Sequence, residues 1–459
     1  MRVSADELRQ HYASLSDEEL VAIERDDLGE VARHCYDEEI RRRGLTPSDS
    51  RTSEPEPDRG DEPIVVRTFH ATGEAKLAQS VLRSANIPCY VEDESSKWDL
   101  SGLRLMVPAS YFDDARKLLN SEVRADDIEA EPWDGQTHHR FVETNGIRMH
   151  YVEAGSGPLV LLCHGFPESW YSWRHQISAL AEAGYHVVAP DMRGYGQTDR
   201  PAPVEAYDIF QLVGDIVGLI NAMDEAPAVI VGHDWGAWIT SYASLLRPDL
   251  FRAVALLSVP YTPRRAFSQT QWEQQKYPGR VFYQATFRSP QADSVMASDV
   301  RGRLLAGLWS ASGDARAEWR WKLVSDPANP SPRHAFPTSL PPWLTSKDLD
   351  FLESEFKRTG FTGGLNYYRN TDRNWSLTPF LDGAKLLHRT LFIAGEKDAV
   401  LEFLDEEYEA LDENVPNLWR KELISGAGHW IQQERPAEVN RLLLEFLSEV
   451  EAGERAQIS

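Results

Sequence analysis

Val229-Ile230-Val231-Gly232-His233-Asp234-Trp235-Gly236-Ala237-Trp238 decides how the rest of this chain is read. An apolar run stops abruptly at Gly232, and a helix-like run follows Gly236. The Gly-x-Asp-x-Gly arrangement is that of a nucleophile elbow, a strained strand-to-helix turn in which a side chain at either glycine would block the close approach of the two elements. The ordinary occupant of the apex is Ser; here it is Asp234. A hydroxyl attacking an alkyl carbon leaves an ether that water at neutral pH does not remove. A carboxylate attacking the same carbon leaves an ester, which an activated water cleaves. With a reference pKa of about 3.9, an Asp is already ionised near neutrality and needs no base to activate it. The apex therefore points to alkyl transfer onto Asp234 followed by hydrolysis, against the plainer alternative of a solvated Asp in a glycine-flanked turn.

Outward from the elbow, strand-like runs alternate with segments long enough for helices. Strands are predicted at 141–143 and 149–153, joined around the turn dipeptide Asn145-Gly146, and then at 159–163, 186–189, 228–231, 253–258, 390–394 and 419–424. Alternation of this kind implies an α/β fold, a mostly parallel sheet with helices on both faces. About 130 residues separate the strand ending at Ser258 from the one starting at Thr390, far more than a crossover helix needs, so they should form a cap of their own. That interval is rich in Trp, Tyr and Phe, as suits an apolar pocket above the sheet edge.

Ligands of open α/β sheets bind beyond the carboxyl ends of the strands. His164-Gly165-Phe166-Pro167 follows the strand at 159–163, Gly395-Glu396-Lys397-Asp398 the one at 390–394, and Gly426-Ala427-Gly428-His429-Trp430 the one at 419–424. With the elbow, these give Asp234, Asp398 and His429 in chain order: nucleophile, acid, histidine. That is the order of α/β-hydrolase triads, each member following a strand.

A chain of 459 residues exceeds one ordinary core. We divide it into a helical segment at 1–45, a linker at 46–62, a small β-α-β-β-α domain at 63–121, a second linker at 122–138, the first part of the α/β core at 139–260, the cap at 261–380, the second part of the core at 381–450, and a tail at 451–459. The capping box Ser16 and Glu19 and the spacing of Leu20, Ile23, Leu28 and Val31 support the first of these. Residues 46–62 carry no large apolar side chain and cannot offset the entropy of ordering. In 63–121, strands are expected at 64–69, 87–91 and 103–107, and helices at 75–85 and 111–119.

With 48 basic against 72 acidic residues and a net charge of −24, neither nucleic acid nor an anionic membrane is expected as a partner. Cys35, Cys89 and Cys163 are widely spaced, so a disulfide framework and a thiolate metal site are not expected. The acidic N-terminus lacks a signal-peptide core, and no apolar run is long enough to span a bilayer; we expect a cytoplasmic location.

Element order in 63–121, with the junction from Leu82-Arg83 to Ile87-Pro88, resembles the small prokaryotic domain described as signal-transducing. The resemblance implies a regulatory or docking module, the alternative being a folding or solubility appendage.

Residues 139–450 resemble the soluble epoxide hydrolases of the α/β-hydrolase superfamily. The pieces that carry the resemblance are His164-Gly165-Phe166-Pro167-Glu168-Ser169-Trp170, Asp191-Met192-Arg193-Gly194-Tyr195-Gly196, the elbow, Gly364-Leu365-Asn366-Tyr367-Tyr368-Arg369-Asn370 and Gly428-His429-Trp430. The resemblance implies Asp234 as nucleophile, His429 as general base, Asp398 as the group that orients it, and the cap residues Tyr283 and Tyr368 as donors to the epoxide oxygen. It further implies an oxyanion hole from the N–H groups of Phe166 and Trp235, with Phe166, Pro167 and Trp235 against the substrate. The substrate would be a small apolar epoxide plus water, no metal or organic cofactor is required, and homo-oligomerisation is left open. Arg288-Ser289-Pro290-Gln291 replaces the family's usual Gln-Glu-Pro-Gly, which puts the local loop in question. The rivals are a haloalkane or haloacid dehalogenase using the same Asp, and a catalytically silent hydrolase fold kept as a ligand receptor.

Overall fold

The computed structural model describes residues 39–43, 63–69, 78–79, 82, 87–92, 103–120, 136–327 and 340–458. The chain divides into two compact units, Met1–Ala125 and Asp126–Ser459.

In the first unit, β1 (Pro63–Phe69), β2 (Tyr90–Glu92) and β3 (Leu103–Pro108) form an antiparallel sheet of order β1-β3-β2, and the helix Phe112–Asn120 follows. Leu82, Ile87, Leu105, Val107 and Ala115 are buried together, and the Ile87 N–H donates to the Leu82 carbonyl at 2.9 Å. The second strand starts at Tyr90, later than the expected 87, because Pro88 has no N–H to give to a ladder. Residues 39–43 are helical. The capping box at Ser16 and Glu19, the stretch 46–62 and residues 122–135 lie outside the described residues.

The second unit opens with the hairpin β4 (His138–Thr144) and β5 (Ile147–Ala154). Asn145 and Gly146 both have positive φ, 45° and 75°, which makes this the tight turn expected of that dipeptide. β4 is longer than the expected 141–143 because His138 already pairs with Glu153. Then follow β6 (Leu159–Cys163), β7 (His186–Pro190), β8 (Ala228–His233), β9 (Phe251–Leu257), the short ribbon of β10 (Val281–Phe282) with β11 (Val324–Ser325), β12 (Arg389–Gly395) and β13 (Leu418–Ile424). The large sheet runs β13-β12-β9-β8-β6-β7-β5-β4, parallel except where β5 pairs with β7 and β4.

Both faces of this sheet are covered, which is why its central strands read as unbroken apolar runs. On one face Val160, Leu162, Val229 and Val231 pack with Ile177 and Leu180 of the helix Arg174–Glu182 and with Leu442 and Phe446 of the helix Pro436–Ile458. On the other, Leu161 and Ile230 pack with Leu212 and Ile216 of Ile209–Met223 and with Ile239 of Trp235–Leu246. The last helix runs through the stretch read as a tail at 451–459. Glu451, Ala452, Glu454, Arg455 and Gln457 are strong helix formers that prolong it past the last core contact, and Glu451 accepts the Tyr185 hydroxyl at 2.7 Å.

Between β9 and β12 lie the helices Gln269–Lys276, Tyr283–Arg288, Ala292–Ala297, Val300–Ser310, Ser346–Thr359, Thr362–Arg369 and Thr371–Leu377. Capping boxes at Ser268 and Thr345 start two of them.

Candidate active site

Asp234 sits at the elbow with φ 51° and ψ −118°, a backbone conformation that side chains rarely adopt. The two glycines make the turn feasible. A Cβ on Gly232 would lie 2.3 Å from the Gly236 carbonyl oxygen, and one on Gly236 would lie 2.0 Å from that of Cys163. Asp234 as a whole is 8% exposed.

Parallel strands bring the other two triad members to the same end of the sheet. Asp398 follows β12, and its Oδ1 accepts the Val400 N–H at 2.9 Å. His429 follows β13; its Nδ1 lies 3.1 Å from both Asp398 oxygens, and its Nε2 lies 3.5 Å from Asp234 Oδ2. Burial opposes a charge on His429, but Asp398 and Asp234 outweigh it and hold its pKa well above the ordinary value. That direction favours the charged form of the ring, which stands between the Asp398 and Asp234 side chains.

Of the two amides expected as an oxyanion hole, that of Phe166 donates to Asp234 Oδ1 at 2.9 Å. Trp235 opens the helix Trp235–Leu246, where the first N–H groups have no partner within the helix. The Phe166-Pro167 peptide is cis.

The backbone of His429 is held from both sides. Its N–H donates to the Ala311 carbonyl at 2.9 Å, while its carbonyl accepts Ser258 Oγ and His233 Nε2, each at 2.8 Å. Ser258 takes a φ of 66° to reach it. The other nitrogen of His233 lies 2.8 Å from a Glu168 oxygen, and Glu168 also accepts from Gly165 N–H and from the Gln432 and Gln433 amides. Burial works against ionising Glu168, yet His233 and the Gly165 N–H bring it down to about 2. One buried carboxylate thus ties the loop bearing Phe166 to the loop bearing His429.

Tyr283 begins its helix with its N–H on the Leu323 carbonyl, 2.8 Å away, and Tyr368 stands near the end of Thr362–Arg369. Their rings are 6.3 Å apart, and Phe287 packs edge-on against both. Burial first, then the nearby Asp234 carboxylate, pushes both phenols up, so they are protonated donors. Arg288, where the loop departs from the family pattern, is anchored by an ion pair to Glu273.

A cavity of about 400 Å³ is lined by Phe166, Pro167, Asp234, Tyr283, Tyr368 and His429, with Phe287, Met296, Trp321 and Trp430 as apolar walls. A smaller one, of about 90 Å³, shares Asp234, Tyr283 and Tyr368 and adds Trp235. Six of the residues singled out from the sequence thus line the larger cavity, Trp235 lines the smaller one, and Asp398 reaches the site through His429.

Comparison with known proteins agrees with this geometry. Residues 158–436 match the family model described as alpha/beta hydrolase fold. Epoxide hydrolase A of Mycobacterium tuberculosis is 47% identical over 323 residues, which cover 69% of this chain and 99% of that protein. The chain belongs to the epoxide hydrolase family. The hydrolase is also similar to solved structures: an epoxide hydrolase from an endophytic Streptomyces, 43% identical with a TM-score of 0.66 over 70% of this chain and 97% of that one, and epoxide hydrolase A from Mycobacterium thermoresistibile, 45% identical with a TM-score of 0.64 over 68% and 98%. Residues 64–122 match a second family model, described as "Putative prokaryotic signal transducing protein".

Sequence reasoning gave no role to Glu168, His233 or Ser258 of this hydrolase. Glu168 and His233 stand inside the quoted motifs, but their partnership joins residues 65 positions apart, and no local pattern announces it. Among the described residues, no helix is long and apolar enough to cross a membrane.

Proposed function

We propose that the hydrolase converts small apolar epoxides to vicinal diols through an ester on Asp234. The observation that carries this is the grouping of Asp234, His429, Tyr283 and Tyr368 around one largely apolar cavity. An Asp234 oxygen attacks a ring carbon and the carbon–oxygen bond breaks. Its electron pair stays on oxygen, which takes a proton from Tyr283 or Tyr368 and leaves as a hydroxyl. Esterification removes the charge on Asp234. His429 then loses one of the two anions that kept it protonated, gives its proton back to the tyrosinate, and becomes a free base.

In the second half, His429 takes a proton from water as the hydroxide adds to the ester carbonyl. The carbonyl oxygen sits where Asp234 Oδ1 already accepts the Phe166 N–H, with Trp235 N–H as the second donor of the hole. Collapse expels the diol oxygen, which takes the acid proton and leaves Asp234 ionised beside a protonated His429, as at the start. Asp398 fixes the tautomer with the free Nε2 toward Asp234. A dehalogenase of this design would set a second halide donor where Phe166 presents only an apolar ring.

One turnover in isotopically heavy water tests the scheme. The heavy oxygen should enter the Asp234 carboxyl group and not the diol; direct labelling of the diol would exclude the ester.

A further inference from the structure

Glu434 closes the short helix Ile431–Glu434, is 5% exposed, and takes no part in the scheme above. Its Oε2 accepts the Gly428 N–H at 2.9 Å and its Oε1 the Trp430 N–H at 3.0 Å, so one carboxylate holds the residue before His429 and the residue after it. The same Oε2 accepts the N–H of Gly313, a cap residue, at 2.8 Å. All three partners are backbone N–H groups and none is a cation, so a proton on either oxygen would face a donor. Burial raises the Glu434 pKa above its ordinary value, with the three N–H groups opposing the shift and the Asp398 charge adding to it.

Gly313 follows the cap helix Val300–Ser310, whose end is bound to the core by more than this carboxylate. The Leu308 carbonyl accepts Trp430 Nε1 at 2.8 Å, that of Ala311 the His429 N–H at 2.9 Å, and that of Gly313 Lys397 Nζ at 3.0 Å. The contact is close. A Cβ on Gly428 would lie 2.4 Å from the Gly313 nitrogen, and one on Gly313 would lie 2.0 Å from the Gly426 carbonyl oxygen. The helix that ends here supplies Arg303, Ala306, Gly307 and Ser310 to the wall of the larger cavity. The wall that places a substrate and the loop that places the base are thus joined at Glu434.

We propose that Glu434 is a positioning residue for the ester-cleaving half of the cycle: it holds His429 in register with the cap helix that lines the cavity, where Nε2 can take a proton from the attacking water. The proposal rests on the ester scheme above and adds a residue to it. A glutamine has the same shape but not the same acceptors. Its one oxygen can serve Gly313 and Gly428, or else Trp430, and its NH2 group then faces an N–H, so the chain on one side of His429 must shift. Displacing a reacting group by about 1 Å costs on the order of 10²-fold in rate. Ester formation does not use His429 as a base, so that step should be spared.

The test uses the full chain and styrene oxide in single-turnover kinetics, with the ester on Asp234 followed by quenching and intact-protein mass. Glu434→Gln should slow the loss of the ester by about tenfold and leave its formation within about threefold, so that ester accumulates in steady turnover. A role confined to folding lowers the fraction of protein that reacts and leaves the ratio of the two rates unchanged. That result, or both steps slowed alike, overturns the proposal. Lys397→Met changes a partly exposed side chain and removes the bond to the Gly313 carbonyl from the same contact. It should shift the ratio in the same direction by about threefold. It decides if Glu434→Gln does not fold, and an unchanged ratio then overturns the proposal. Absence of any ester on both the wild-type protein and His429→Ala is a different result: it removes the scheme on which the proposal stands.

Discussion

His429 Nε2 lies 3.5 Å from Asp234 Oδ2, close enough for charge to couple the two and too far for a strong hydrogen bond. In the proposed scheme the anion that attacks would also keep the base protonated until attack is complete, which orders the two half-reactions without any moving part.

The coupling has a sign that can be measured. His429 is raised well above its ordinary value, with burial opposing and Asp398 and Asp234 supporting the charge. Asp234→Asn removes one supporting anion, so the His429 pKa should fall, and the imidazole should be neutral over a wider range of pH. Titration of the His429 ring by NMR in both proteins checks this; an unchanged or higher value in the variant would break the proposed order of events.

His429→Ala leaves the nucleophile in place and removes the base. The variant should react once, holding a mass increase equal to one substrate molecule on Asp234. Intact-protein mass spectrometry reads the adduct, and steady turnover without it would contradict the role given to His429.

Tyr283→Phe and Tyr368→Phe each remove one donor from the ring oxygen. Each should slow the rate of ester formation in single-turnover kinetics by about 10²-fold, the usual loss for one such donor, and the double variant should lose more. A rate that tracks neither tyrosine would leave the pair as mere cavity lining.

Gly236→Ala places a methyl group 2.0 Å from the Cys163 carbonyl oxygen, where the strand β6 and the elbow helix nearly touch. Backbone must move to admit it, and destabilisation of about 3 kcal/mol or more is expected in urea melts. The same substitution at Gly307, where a Cβ meets nothing within 4 Å, should be tolerated.

Removal of residues 1–136 takes away the first compact unit and residues 126–136, and keeps the second unit from the hairpin onward. We expect kcat/KM to stay within about twofold of the full chain, as for a domain with its own core. A fragment that folds but does not turn over would show that the front unit completes the site.

Much of this was legible in the chain. Alternating apolar runs gave the order of strands because a sheet covered on both faces leaves no room for polar residues in its centre. The elbow glycines, Asp398 and His429 stood out because each must follow a strand directly, so local spacing records their place. Strand ends were misread where pairing extends past the apolar run, as at His138, where Pro88 delays it, and at Ser258, which was expected to close a strand but leaves it with a φ of 66°. The loop at Arg288 was open from sequence, and its answer, an ion pair to Glu273, is an interaction between two helices.

The amino-acid order by itself determined the α/β architecture, the acidic nucleophile and therefore the two-step chemistry, since periodicity and turn geometry are properties of near neighbours. Tertiary structure alone decided the rest: the clamp of Ser258 and His233 on the His429 carbonyl, the Glu168 anchor, and the meeting of Tyr283 and Tyr368 with Asp234 at one cavity. These depend on distances between residues far apart in the chain, and on burial that raises or removes the worth of a charge. Both exist only once the sheet has brought its strand ends together.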